Sequence, residues 1–184
     1  MTANSSFFVS RHVLKCMSTG TLVGLRDRAL IGVMVFSFAR VSAVVGMQRQ
    51  DYFPQGKRGW LRLHEKGGKR HDVPAHHRAE AYLEAYLEAG ALADPKAPLF
   101  QSVDWARRLT GRALPRREVL AMIKRRAAAA ELPPSTCCHT FRATGITAYL
   151  SNGGTLEHAQ QIAAHASPKT TKLYDRRADT IALG

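Results

Sequence analysis

The 184-residue sequence predicts an α+β domain, mainly α-helical, with one small antiparallel β-hairpin. Three observations predict this class. The stretch from Ala75 to Ala89 is built of Ala, Glu, Leu and Tyr and is closed by Gly90, the composition and punctuation of a helix. Trp60, Leu61 and Leu63 precede the turn sequence Lys66-Gly67-Gly68-Lys69 and then Val73-Pro74, which reads as two strands around a tight turn. A hydrophobic content of 45% over this length supports one core and leaves little room for a second.

Taken in order, residues 1–20 are polar and irregular, so the folded domain is expected to span 21–184. LVGLRDRALIGVMVFSFARVSAVVGM follows, apolar densely enough for a buried helix that anchors the core, with Arg40 at its end. The helical signal stops around Gly46 to Pro54, ahead of the hairpin. After the helix that ends at Gly90, Asp94 to Pro98 makes a loop. Leu114 to Leu132, LPRREVLAMIKRRAAAAEL, predicts a helix with one basic and one alanine-rich face, terminated by Pro133-Pro134. HTFRATGITAYLSNGG predicts a helix ending at Asn152-Gly153, TLEHAQQIAAHA a second short one, and SPKTTKLYDRRADTIA a third opened by Pro168. The sequence contains no internal repeat and no low-complexity segment.

A formal net charge of +13 and a pI of 10.3 point to a polyanionic partner; nucleic acid, an anionic membrane surface and plain solubility all fit the charge alone. Arg116, Arg117, Lys124, Arg125 and Arg126 would lie along DNA phosphates or simply solvate an exposed face. Cys16, Cys137 and Cys138 are an odd set with one vicinal pair, neither a disulfide framework nor a zinc site, and they suit a reducing cytoplasm. His76-His77 and Cys137-Cys138-His139 lack the gaps that let ligands converge, so no metal is expected. The N-terminus has no long apolar run and Ala29 to Ala39 is too short to span a bilayer, so no membrane association is expected.

The C-terminal third holds His139-Thr140-Phe141-Arg142, then Ala164-His165, then Thr170-Thr171-Lys172-Leu173-Tyr174. A His-x-x-Arg pair on one helix, a later His and a Tyr nine residues beyond it resemble, in order and spacing, the closing boxes of the tyrosine recombinases of the phage integrase type. Upstream, FARVSAVVGM and HEKGGKRHDVP are similar to the family's first arginine segment and its lysine hairpin, so the resemblance covers about residues 22–178. It implies the family's catalytic-domain fold and a site of Arg40, Lys66, His139, Arg142, His165 and Tyr174. It also implies double-stranded DNA as partner, no cofactor, and strand cleavage and rejoining through a 3′-phosphotyrosyl bond.

That residue set suits the chemistry. Transfer at a phosphodiester builds charge on non-bridging oxygens, for which the guanidinium forks of Arg40 and Arg142 are fixed donors. Tyr174 is the implied nucleophile and His139 the acceptor of its proton. Lys66, on a Gly-Gly turn, suits a general acid for the 5′-oxygen, with Lys69 as the alternative and otherwise a DNA contact. His165, on the resemblance, donates to a phosphate oxygen. Singly, each residue has a plainer reading: Tyr174 as packing, Arg40 as a cap on the last helical carbonyls, Lys66 and Lys69 as exposed turn residues.

The sequence departs from the family pattern in four places. Position 43, three after Arg40, is Ala where family members usually carry an acid that orients the arginine, and Ala143 replaces a basic or aromatic residue. The family's N-terminal DNA-binding domain has no counterpart in the residues before Leu22, and ten residues follow Tyr174, few for the tetramer contacts of the family. Ala43 and the missing N-terminal domain favour one other reading, a DNA-binding remnant that cannot complete recombination. A type IB topoisomerase, which shares the tyrosine chemistry, and an unrelated basic protein that binds RNA, in which the boxes are coincidence, also stay open.

Overall fold

The structure, a computed structural model, describes residues 13–15, 17–65 and 68–175. In chain order its elements are α1 (Leu22–Phe36), α2 (Val41–Val45), a 3₁₀ turn (Arg49–Asp51), β1 (Tyr52–Gln55), β2 (Arg58–His64), β3 (Arg70–Pro74), α3 (His77–Ala89), β4 (Gln101–Val103), β5 (Leu109–Ala113), α4 (Arg116–Ala129), α5 (Cys138–Ser151), α6 (Leu156–Ile162) and α7 (Pro168–Lys172). The α+β, mainly helical class expected from the sequence is what the molecule adopts.

Helix α1 is the centre of the core. Thr21 caps its start by accepting from the Gly24 amide at 3.1 Å, and Ala29 to Val35 are all buried. It packs on α3 at one side and α5 at the other. Close approach needs small residues on both flanks: a Cβ at Gly32 would meet the Tyr82 ring at 2.8 Å, and one at Gly145 would meet the Val35 carbonyl oxygen at 2.0 Å. The long helix expected through Met47 is instead broken. Ser37 donates to the Val33 carbonyl at 2.6 Å, Phe38 turns left-handed at φ 54°, and a new short helix begins at Val41. Arg40 is therefore the N-cap residue of α2, not the last residue of a long helix. No Gly or Pro marks the break, so the apolar pattern alone ran through it.

The expected hairpin is β2–β3, with Leu61 opposite Val73 and Leu63 opposite His71; Leu61, Leu63 and Val73 face the core. Strand β1, in the region where a break is expected, pairs with β2 from Tyr52↔Leu61 to Gln55↔Arg58 and makes a three-stranded sheet. A second sheet, β4–β5, was also missed. Helix α3 ends at Gly90 as expected. Helix α4 is shorter than Leu114–Leu132 at both ends: Pro115 is its N-cap residue and Glu131 is left-handed at φ 53°, before the two prolines. Val13, Leu14 and Met17 are buried in the core, so the stretch read as irregular through residue 20 contributes to it. Among the described residues no helix is long and apolar enough to cross a membrane.

Candidate active site

Helix α5 sets the frame. His139 and Arg142 stand three apart, hence on one face, while Phe141 between them is fully buried in the core. Burying that ring is worth roughly 1.5–3 kcal/mol and fixes the rotation of the helix about its axis. The Thr140 hydroxyl accepts from the Cys137 amide at 3.0 Å, closing the first turn directly under His139.

Arg142 is 3% exposed, and its acceptors are backbone carbonyls: Nη1 donates to Phe38 and Nη2 to Ala163, the latter at 2.6 Å. Both carbonyls adjoin left-handed backbone, at Phe38 (φ 54°) and Ala164 (φ 49°). A guanidinium has five N–H groups, and these two bonds use two of them. Burial lowers its pKa to about 10, with Arg40 pushing the same way and Glu65 opposing, and it stays charged at neutral pH.

His165 lies three residues beyond α6, its Nδ1 2.9 Å from the Thr171 hydroxyl and its ring stacked on Tyr174 at 5.9 Å between centroids. Burial first, then the charges of Arg142 and Arg40 and the neighbouring His139, push its pKa down to about 4, so the ring is neutral at physiological pH. A neutral imidazole carries one ring proton, and in the tautomer where the Thr171 hydroxyl donates to Nδ1 that proton is on Nε2, which is then a donor. Tyr174 follows α7, its amide bonded to the Thr171 carbonyl at 3.0 Å. Its hydroxyl is 3.3 Å from Nε2 of His139, a loose contact of the kind that tightens when substrate binds.

Among the described residues the Arg40 side chain caps no helical carbonyl. Its Nη1 donates to Oε2 of Glu65, just beyond the end of β2, at 2.6 Å, and position 43 is a buried alanine. Arg40, His139, Arg142, His165 and Tyr174 line a single cavity of about 410 Å³, together with Arg116, Cys138 and Thr170. Lys66 lies outside the described residues. Lys69 is exposed, and its carbonyl accepts from the Glu65 amide at 2.7 Å.

The basic face of α4 divides. Arg116 lines the cavity and Arg117 is exposed. Lys124 donates to the Pro134 carbonyl at 2.5 Å. Arg126 pairs at 2.7 Å with Asp27, a fully buried carboxylate that Arg26 also holds at 2.8 Å, and Arg125 comes within 4.0 Å of it. Arg126, expected among the phosphate contacts, is thus held by a carboxylate of the fold. Sequence reasoning missed Glu65 and Thr171; the only trace of Glu65 was an acid ending an alternating strand, and Thr171 left none. Among the described residues no group of His, Cys, Asp and Glu is arranged to hold a metal ion.

The model of the family described as the phage integrase family matches residues 10–180. Tyrosine recombinase XerD of Xanthomonas campestris pv. campestris is 33% identical over 173 residues, covering 88% of this chain and 51% of that protein. Tyrosine recombinase XerC of Pelobacter propionicus is 35% identical over 151 residues, covering 82% and 47%. The chain thus spans about half the length of the curated relatives it matches. Among solved structures, XerH site-specific recombinase bound to palindromic difH substrate superimposes with a TM-score of 0.75 at 20% identity, over 97% of this chain and 52% of that one. XerA recombinase does so with a TM-score of 0.76 at 22% identity, over 94% and 59%. At such identities the structural likeness speaks for the fold, and the family match over nearly the whole length speaks for descent: the chain belongs to the phage integrase family of tyrosine recombinases.

Proposed function

We propose that the chain forms a catalytic domain, expected over residues 21–184 and extended by the core residues Val13, Leu14 and Met17, that cleaves and rejoins double-stranded DNA at specific sites, with Tyr174 as the nucleophile. The observation that carries this reading is the Tyr174 hydroxyl 3.3 Å from His139 in a cavity that also holds two guanidinium groups. His139 takes the phenol proton as the Tyr174 oxygen attacks the scissile phosphorus. Arg40 and Arg142 stabilise the charge that grows on the non-bridging oxygens, and Nε2–H of neutral His165 adds a third donor. Lys66 protonates the departing 5′-oxygen. The products are a 3′-phosphotyrosyl bond and a free 5′-hydroxyl, and attack by a 5′-hydroxyl of another strand reverses the sequence of events, so the energy of the broken bond is kept.

The charge balance, Arg116 at the cavity and the exposed Arg117 that follows it support DNA as the partner. Relatives named as tyrosine recombinases support site-specific exchange, which would take place in the cytoplasm. The test is to incubate the chain and its Tyr174→Phe variant with nicked duplexes tiled across the DNA flanking its own gene, then denature. A covalent protein–DNA adduct that disappears in the variant is expected. Equal adduct in both, or stable binding to every duplex with no adduct at all, would defeat the assignment.

A further inference from the structure

Arg40 and Arg142 face one cavity, and two like charges held this close repel each other. Arg142 is braced by backbone carbonyls, but Arg40 is not. Its side chain is 44% exposed, and a long half-exposed arginine samples many rotamers. The first turn of α2 holds no acid and position 43 is a buried alanine, so nothing on its own helix restrains the guanidinium by charge.

Glu65 meets that need from another element. Its carboxylate side chain is 5% exposed and lies 2.6 Å from Arg40 through Oε2, while its other oxygen, Oε1, is buried without a hydrogen-bond partner among the described residues. A carboxylate withdrawn from water with one oxygen unpaired lowers stability, and a glutamate at the end of a strand is not forced into such a place. Its amide closes the hairpin on the Lys69 carbonyl at 2.7 Å, which fixes the backbone from which the side chain extends. The contact occupies one N–H of Nη1 and leaves the other N–H groups of Arg40 for a ligand.

We propose that Glu65 is a positioning residue for Arg40: its buried carboxylate holds the half-exposed guanidinium at the cavity wall, with the remaining N–H groups directed at the scissile phosphate. The inference rests on the reading of the cavity as a phosphodiester-cleaving site. Glu65 touches no reacting atom; it acts through Arg40, and the experiment reads that dependence.

Adduct formation is followed on nicked duplexes with a normal scissile phosphodiester and with a neutral methylphosphonate, which removes one charged non-bridging oxygen. Glu65→Gln is expected to slow the phosphodiester reaction about tenfold or more, less than the roughly 100- to 1,000-fold for deleting a charge-stabilising donor. The same substitution should have no further effect in an Arg40→Ala background, and its defect should shrink on the methylphosphonate in parallel with that of Arg40→Ala. A Glu65→Gln defect that multiplies with that of Arg40→Ala, or that is equal on both substrates, would reduce Glu65 to a structural residue. An independent readout is nitrogen-15 NMR of the Arg40 side chain in the intact protein: slow guanidinium rotation in the native chain and fast rotation in Glu65→Gln supports the tie, and unchanged rotation overturns it. Because it needs no turnover, the NMR result decides the role of Glu65 even if no duplex yields an adduct, an outcome that counts against the cleavage reading instead.

Discussion

A single methyl group placed far from any reacting atom should silence the site. In Gly145→Ala the new Cβ would stand 2.0 Å from the Val35 carbonyl oxygen and 2.9 Å from the Phe38 ring. Ordinary contact begins near 3.4 Å, so α5 must retreat from α1 by about 1.4 Å at this point. The obstacle is backbone and has no flexible end to swing aside. Overpacking of this kind costs roughly 1–3 kcal/mol of stability, which a domain of this size survives. The catalytic cost is larger, because Arg142 lies one turn away and its Nη1 bond to the Phe38 carbonyl spans the same gap. Displacing a charge-stabilising group by about 1 Å costs on the order of 100-fold in rate. Gly145→Ala should therefore melt a few degrees lower, bind duplex DNA with nearly native affinity, and form adduct about 100 times more slowly. An adduct rate within twofold of the native protein, at any melting temperature, would refute the argument that the α1–α5 spacing holds Arg142 in register.

Other outcomes follow from the same structure. Asp27→Asn removes a buried carboxylate from between Arg26 and Arg126 and should destabilise the fold by about 3–5 kcal/mol, a fall in melting temperature on the order of 10 °C by differential scanning calorimetry. His165, with a pKa of about 4 against an ordinary 6.5, is neutral in both folded and unfolded chains above pH 6.5. As the pH falls from 6.5 towards 4, the unfolded chain takes up a proton that the folded one refuses, so stability is lost across that window. Urea midpoints measured from pH 7.5 to 4 should show a smaller decline in His165→Asn than in the native chain; identical declines would contradict the assignment. Arg117→Ala should reduce the slope of log affinity against log salt by about 0.9 in a duplex-binding titration while leaving the melting temperature unchanged. Arg126→Ala should do the reverse, since its charge is held by Asp27. Arg40→Lys should keep DNA binding and slow cleavage, because one ammonium cannot hold Glu65 and a phosphate oxygen in the fixed fork geometry of a guanidinium; native cleavage rates would count against it.

What the sequence showed of the site was what lies close along the chain. His139 and Arg142 share a helical face, and His165 and Tyr174 each follow just beyond a short helix whose cap, Thr155 or Ser167, is readable from residue type alone. What it hid depends on distant partners. Asp27 and Arg126 are 99 positions apart, and nothing local distinguishes a basic residue aimed at a buried carboxylate from one aimed at water. Arg40 and Glu65 are 25 apart and meet only because β2 runs past the start of α2. Strand β1 is short, contains Pro54 at an edge and buries none of its four side chains, so it lacks the alternation that exposed β2. The break at Phe38 was hidden because a left-handed residue without glycine leaves no mark in composition.

The two arginines of the cavity are secured by different kinds of partner, and this bears on how each can change over generations. The acceptors of Arg142 are peptide carbonyls, which every residue possesses, so no codon change at position 38 or 163 deletes them by altering a side chain. Selection there acts on the path of the main chain, at the left-handed residues Phe38 and Ala164. The partner of Arg40 is a carboxylate, and one nucleotide change in the codon of Glu65 removes it. The support of Arg40 can thus migrate from one position of the chain to another as sequences drift, whereas that of Arg142 stays where the backbone puts it.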